Sequence, residues 1–133
     1  MPEDPDQGFD AAAFADAYGF RRVETAADGT LIVTMAKTMF NQMRDEIADG
    51  KSLKMDAIVG SKRTPFILSI EKGKDFRTIT IDVDAEGYLA YDGPLAYEVG
   101  VLARIYQTAA GIEAASEVTI RDVQTKMPIP NIR

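Results

Sequence analysis

The chain has no cysteine and no histidine. That excludes thiol–imidazole and serine–histidine catalysis, thiolate or imidazole zinc sites, and disulfide stapling. No side chain titrates near neutrality unless its surroundings move it. Any chemistry must come from carboxylates, Lys, Tyr, Ser or Thr, or from a borrowed cofactor; the sequence nominates no catalytic residue and no cofactor. Nor is there an apolar run near the ~18 residues a membrane span needs. The opening "MPEDPDQGF" is acidic and proline-containing, whereas a secretory signal starts basic and turns apolar. These features suggest a cytoplasmic protein, or one assembled in a particle, with no membrane partner.

What is present is an ordinary globular composition, with 46% apolar and 27% charged residues in 133. That length fits one domain, 1–133, with a flexible arm at 1–7. The net charge of −6 is unevenly spread: residues 51–77 hold seven basic and three acidic residues, while both flanks are acidic.

Local patterns suggest the elements. Asp10 can cap a helix over 10–18, which Gly19 ends. Asp28-Gly29 between β-prone runs predicts a hairpin of strands 21–27 and 30–36. Met39, Phe40, Met43 and Ile47 recur at helical spacing, predicting a helix over 39–49 that Thr38 can cap. "LKMDAIVG" alternates Leu53, Met55, Ala57 and Val59, predicting a strand. A two-residue turn at Gly73-Lys74 sets Leu68 opposite Ile79 and Phe66 opposite Ile81. A bulged turn at Asp84–Gly87 then sets Val83 opposite Leu89 and Ile81 opposite Tyr91. Both turns place one apolar face on a three-strand meander. Leu95, Val99, Leu102, Tyr106 and Ala109 predict a lid helix over 94–110, with Ala96, Gly100 and Ala103 as a small-residue stripe for close approach. Residues 117–123 predict a last strand, and Pro128 and Pro130 make 126–133 an extended arm. The expected class is α+β: an antiparallel sheet of four to six strands, hairpin plus meander, packed on one face by the long helix in the C-terminal half.

Three sets of residues could carry function. "DVDAEG" places Asp82, Asp84, Glu86 and Gly87 at the spacing of a calcium loop. The twelfth position, which should be a bidentate Glu, is Gly93, and a strand precedes the loop, so the residues read as a turn. With Asp92 they could also serve a metal-dependent or general acid/base hydrolase, although on a solvated strand face they read first as solubilising residues. Lys62, Arg63, Lys72, Lys74 and Arg77 could track phosphates, yet a strand separates the two groups by roughly 20 Å, beyond a Debye length of ~8 Å. The meander registers turn Ile67, Phe76 and Tyr88 outward, among Ser69, Thr78 and Thr80. Either the hairpin 21–36 covers such apolar residues or they mark a docking surface, and Met127, Ile129 and Ile132 give the C-terminal arm apolar anchors. The first expectation is therefore a non-enzymatic interaction or assembly protein, such as an adaptor, immunity, chaperone-like or phage component. It would bind another protein or itself through that face and arm. Nucleic-acid or phosphoryl-ligand binding through 51–77 is the alternative, and a carboxylate- or metal-dependent hydrolase the third.

Overall fold

A computed structural model describes residues 9–91 and 94–129. Its elements begin where local chemistry demands. The Asp10 carboxylate accepts the Ala13 N–H at 3.1 Å, and Gly19, at φ 79°, closes helix α1 (Ala11–Tyr18). Strands β1 (Arg22–Thr25) and β2 (Leu31–Thr34) come next as an antiparallel hairpin. Val23 faces Val33 and Thr25 faces Leu31. This register leaves Ala27, Asp28 and Gly29 in the loop, where Gly29 adopts φ 87° and donates to the Ala26 carbonyl at 2.9 Å. The hairpin is a type I turn with a glycine bulge, so its strands are shorter than 21–27 and 30–36 and one residue out of the two-residue register. Helix α2 (Lys37–Ala48) buries Met43 and Ile47 on one side. Ala36, not Thr38, sits at its cap.

The expected strand in "LKMDAIVG" is a short helix, α3 (Leu53–Ala57). The buried Ser52 hydroxyl accepts the Met55 N–H at 3.0 Å and starts the turn. Met55 and Ile58, three apart, go inward, while Leu53 and Val59 are exposed. The alternation was coincidence; the cap and the three-residue spacing decide.

A separate three-stranded sheet has the order β3 (Ile67–Lys72), β4 (Thr78–Val83), β5 (Glu117–Asp122). β3 and β4 are antiparallel, with Ile70 opposite Ile81 and Lys72 opposite Ile79. The connection is longer than a two-residue turn. Gly73 donates to the Thr78 carbonyl at 2.7 Å around a 3₁₀ turn, Lys74–Phe76. A register shift between Ile67 and Ser69 turns Ile67 into the core and Leu68 out to solvent.

The third meander strand does not form. Asp84 instead caps helix α4 (Ala85–Leu89), its carboxylate accepting the Gly87 N–H at 3.3 Å. A Cβ at residue 87 would lie 2.6 Å from the Phe66 Cβ, so glycine is what lets α4 press onto β3's lead-in. The chain then crosses over through helix α5 (Leu95–Ala109) and returns as β5, parallel to β4, with Ile81 beside Ile120. A parallel return needs a crossover of a dozen or more residues, which α4 and α5 supply.

The class is α+β as expected, but the single antiparallel sheet is a two-stranded antiparallel hairpin plus a three-stranded mixed sheet. Ile79, Ile81, Val83 and Ile120 line the buried face of the mixed sheet. α5 lies against that face with Val99, Leu102 and Tyr106 fully buried. A methyl at Gly100 would touch Val118 at 3.6 Å, so the small-residue stripe does seat a close neighbour.

After β5 the chain turns at Lys126 (φ 63°) and folds back on the same strand. Asp122 donates to the Met127 carbonyl and Ile129 to the Ile120 carbonyl. Pro128 lies between these bonds opposite Arg121, where its missing N–H points away from β5. Residues 126–129 are thus a sheet edge and not a free arm. The arm at 1–7 and the segment 130–133, including Ile132, lie outside the described residues. Among the described residues no helix is long and apolar enough to cross a membrane.

Candidate functional site

The sheet-face candidates are core residues. Ile67 and Phe76 are fully buried and Tyr88 is 4% exposed. The bulge turns Ile67 in. The 3₁₀ turn folds Phe76 edge-on against Tyr106, ring centroids 5.2 Å apart. Tyr88 sits on α4 beside Phe66, not on a strand. Of the arm candidates, Ile129 packs partly against the core and Met127 stays exposed.

The acidic trio does not converge. The Asp82 carboxylate accepts two bonds from the Arg121 guanidinium, at 2.6 and 2.9 Å, and one from Ser69 at 3.2 Å. Asp84 caps α4, and Glu86 is exposed on that helix. No cluster of three acidic residues able to hold a metal ion occurs among the described residues, and Asp92 lies outside them. The Arg121 hydrogen bonds hold the Asp82 carboxyl below its ordinary range, and the bond from Ser69 adds to this against the cost of burial. A depressed folded pKa contributes stability that is complete above the unfolded value, near 4, and is lost as pH falls through the folded value. The carbon-13 titration of the Asp82 carboxyl is expected to have its midpoint below the free-aspartate value. A midpoint at or above that value would mean the clamp with Arg121 is not formed in solution.

The basic segment is partly neutralised. Arg63 donates to Glu98 at 2.6 Å and to the Tyr91 hydroxyl at 3.0 Å, and that hydroxyl donates on to Glu98 at 3.2 Å. The guanidinium pKa is raised although burial works against it, because the Glu98 hydrogen bond and charge outweigh desolvation. Lys72 pairs with Asp56 at 3.1 Å. Lys62, Lys74 and Arg77 remain exposed, and no single patch gathers all five.

A cavity of about 390 Å³ opens between α1, α2 and α3, lined by Tyr18, Met43, Glu46, Lys54, Ile58 and Arg63 among others. Its charged groups already have partners. Lys54 donates to the Tyr18 carbonyl and lies 5.1 Å from the centroid of the Phe20 ring. Burial lowers the Lys54 pKa, with the Glu46 charge opposing. Glu46 accepts from the Tyr106 hydroxyl at 2.8 Å and from the Leu53 N–H at 2.9 Å, and Ser52 donates to Tyr106 at 2.9 Å. Burial pushes the Tyr18 hydroxyl up to about 12, reinforced by the charge of Glu98. These groups tie the helices together.

The larger opening is a groove of about 880 Å³ between β2 and α5. One wall is Leu31, Val33 and Met35 with Phe40; the floor is Tyr97, Val101, Ile105 and Ala109 of α5. The hairpin's inner face therefore stands over α5 without filling the space beside it. The backbone of β2 makes this opening more than a gap. Thr30 and Thr34 turn their carbonyls toward β1, accepting from Ala26 and Arg21. By alternation, Leu31 and Val33 point their N–H and C=O groups to the other edge. There they meet no backbone or side-chain partner among the described residues. α1 packs against β1, and it is the β2 edge of this two-stranded hairpin that borders the groove. That strand and its flanks, "TLIVTM", carry no charge, proline or glycine to discourage pairing.

Sequence reasoning misses these residues. The available signal was α5 itself: Tyr97, Val101 and Ile105 add a third stripe to a helix whose other faces were already apolar or small, more than one covered face requires.

Compared with family models, curated proteins and solved structures, the chain matches none.

Proposed function

We propose that the protein is a non-enzymatic interaction protein that receives an extended segment of a partner chain in the groove, as a strand added along β2. The observation that carries this reading is the unpaired, uncharged backbone edge of Leu31 and Val33 beside an apolar floor. Strand addition draws affinity from main-chain hydrogen bonds and specificity from side chains that alternate into pockets. The groove offers an edge for the backbone, and Val101 and Ile105 as apolar surface for the side chains that would face inward. A two-stranded hairpin is marginal alone, and a third strand would complete the layer over α5.

The test is a titration of isotope-labelled protein with a synthetic peptide of about eight residues alternating Val and Thr, about the length of an ordinary strand. The amides of Leu31 and Val33 are expected to shift and gain protection from exchange, and the methyls of Val101 and Ile105 to shift with them. The amides of Ile32 and Thr34, turned toward β1, should change far less. If the hairpin and α5 signals stay put at millimolar peptide while the protein remains folded, the reading fails.

A further inference from the structure

Resting on that groove reading, we infer that the received segment is acidic, placing aspartate or glutamate among its apolar residues. The chain as a whole has 21 acidic and 15 basic residues. The groove reverses that balance: among the described residues it is lined by Lys37 and Arg104 and by no carboxylate. Neither cation forms an ion pair among the described residues, whereas Arg63, Lys72 and Arg121 are each committed to a carboxylate. The two cations come from different walls. Lys37 opens α2 just past the end of β2, and Arg104 stands on α5 between Val101 and Ile105. A strand seated along β2 would run within the groove that both line. Its apolar side chains meet the floor, and an acidic side chain finds a cation without an ion-pair partner among the described residues, half-buried at Arg104 and exposed at Lys37.

Charge also argues against other occupants. A nucleic acid would meet a protein of net charge −6, and more acidic still once the groove's two cations are set aside. A second copy of this chain would offer its own β2, Leu31–Thr34, which has no charged residue and would leave both cations unanswered.

The experiment compares three peptides with one apolar pattern whose polar positions are all Glu, all Gln or all Lys, each titrated by fluorescence anisotropy at low salt. The Glu peptide is expected to bind tightest, about tenfold above the Lys peptide, the scale of one or two partly exposed charge pairs. Raising ionic strength to about 0.5 M should shrink that gap, because screening then acts within a few Å. Arg104→Glu should reverse the order, and Arg104→Gln should narrow it without lowering the melting temperature, since Arg104 makes no ion pair among the described residues. Equal affinity for all three peptides overturns the charge inference and leaves strand addition standing. Binding by none overturns both. Light scattering adds the remaining outcome: a stable dimer that excludes the peptides and is broken by Val33→Lys would name a second copy as the occupant and overturn the inference.

Discussion

Phe76→Ala is expected to lower the unfolding free energy by about 3–5 kcal/mol, the usual cost of deleting a fully buried phenyl ring. For a domain with about 5–15 kcal/mol in total, that approaches the whole margin. The ring is inaccessible to solvent and packs edge-on against Tyr106, itself completely buried. Removing it empties the joint between the 3₁₀ turn and α5. The backbone sharpens the effect. Asp75 and Phe76 both lie in the left-handed region, at φ 54° and 57°, which costs a non-glycine residue of order 1 kcal/mol. Alanine keeps that cost and loses the packing that offsets it. Phe76→Gly relieves the dihedral but still forfeits the ring, so it should remain severely destabilised. Urea unfolding followed by fluorescence and circular dichroism checks both variants. A loss under about 0.5 kcal/mol, the range of surface substitutions, would place the ring outside the core.

This residue also shows why part of the fold was illegible. Elements set by neighbouring residues could be read directly: Asp10 and Gly19 bracket α1, the helical repeat of Met39, Met43 and Ile47 marks α2, and Leu95 to Ala109 marks α5. Phe76 depended on a loop whose length local chemistry left open. Gly73-Lys74 suits a two-residue turn, yet the chain makes a longer connection that brings Phe76 under α5. Asp84–Gly87 posed a subtler ambiguity. A type I turn and the first turn of a helix share nearly the same backbone, and Asp caps either one. A distant contact decides between them: Tyr88 can reach Phe66 only if the turn continues as a helix, and Phe66 lies on the far side of two strands in sequence. Once α4 formed, the position expected for a third meander strand was empty, and β5 filled it in the opposite direction.

The candidate site was harder still, because it is a property of what does not touch. "TLIVTM" could be read as a strand, but that its edge borders an open groove depends on how α2 and α5 pack beside it. The sign of the groove depends on Lys37 and Arg104 lining one opening from elements far apart in sequence. Charge pairing elsewhere has the same reach: Arg63 finds Glu98 and Asp82 finds Arg121, which dissolved both the basic patch and the acidic trio.

The second large effect is expected at Gln107, and it tests the joint that Phe76 fills from another side. Gln107 is fully buried on α5. Its amide nitrogen donates to the carbonyls of Asp75 and Ala115 at 2.9 and 2.8 Å, and its oxygen accepts the Ala115 N–H at 3.0 Å. One side chain thus holds both the 3₁₀ turn and the lead-in to β5. Leucine fills a similar volume and satisfies none of those groups. Each polar group left without a partner costs about 1–3 kcal/mol, less where water can reach it, and Ala115 is exposed. Gln107→Leu is therefore expected to cost about 2–4 kcal/mol. Glutamate at this position separates hydrogen bonding from packing. Its ionised carboxylate can accept from Ala115 but offers nothing to the two carbonyls and repels both. Once protonated it regains one donor. Gln107→Glu should be the worse variant at neutral pH and should recover part of its loss on acidification, the direction expected for a buried carboxyl whose folded pKa is raised. Denaturation midpoints at neutral and mildly acidic pH, with exchange of the Ala115 amide, measure this. A Gln107→Leu protein within about 0.5 kcal/mol of the parent, with the Ala115 amide still protected, would mean that the turn and β5 are held without this clamp.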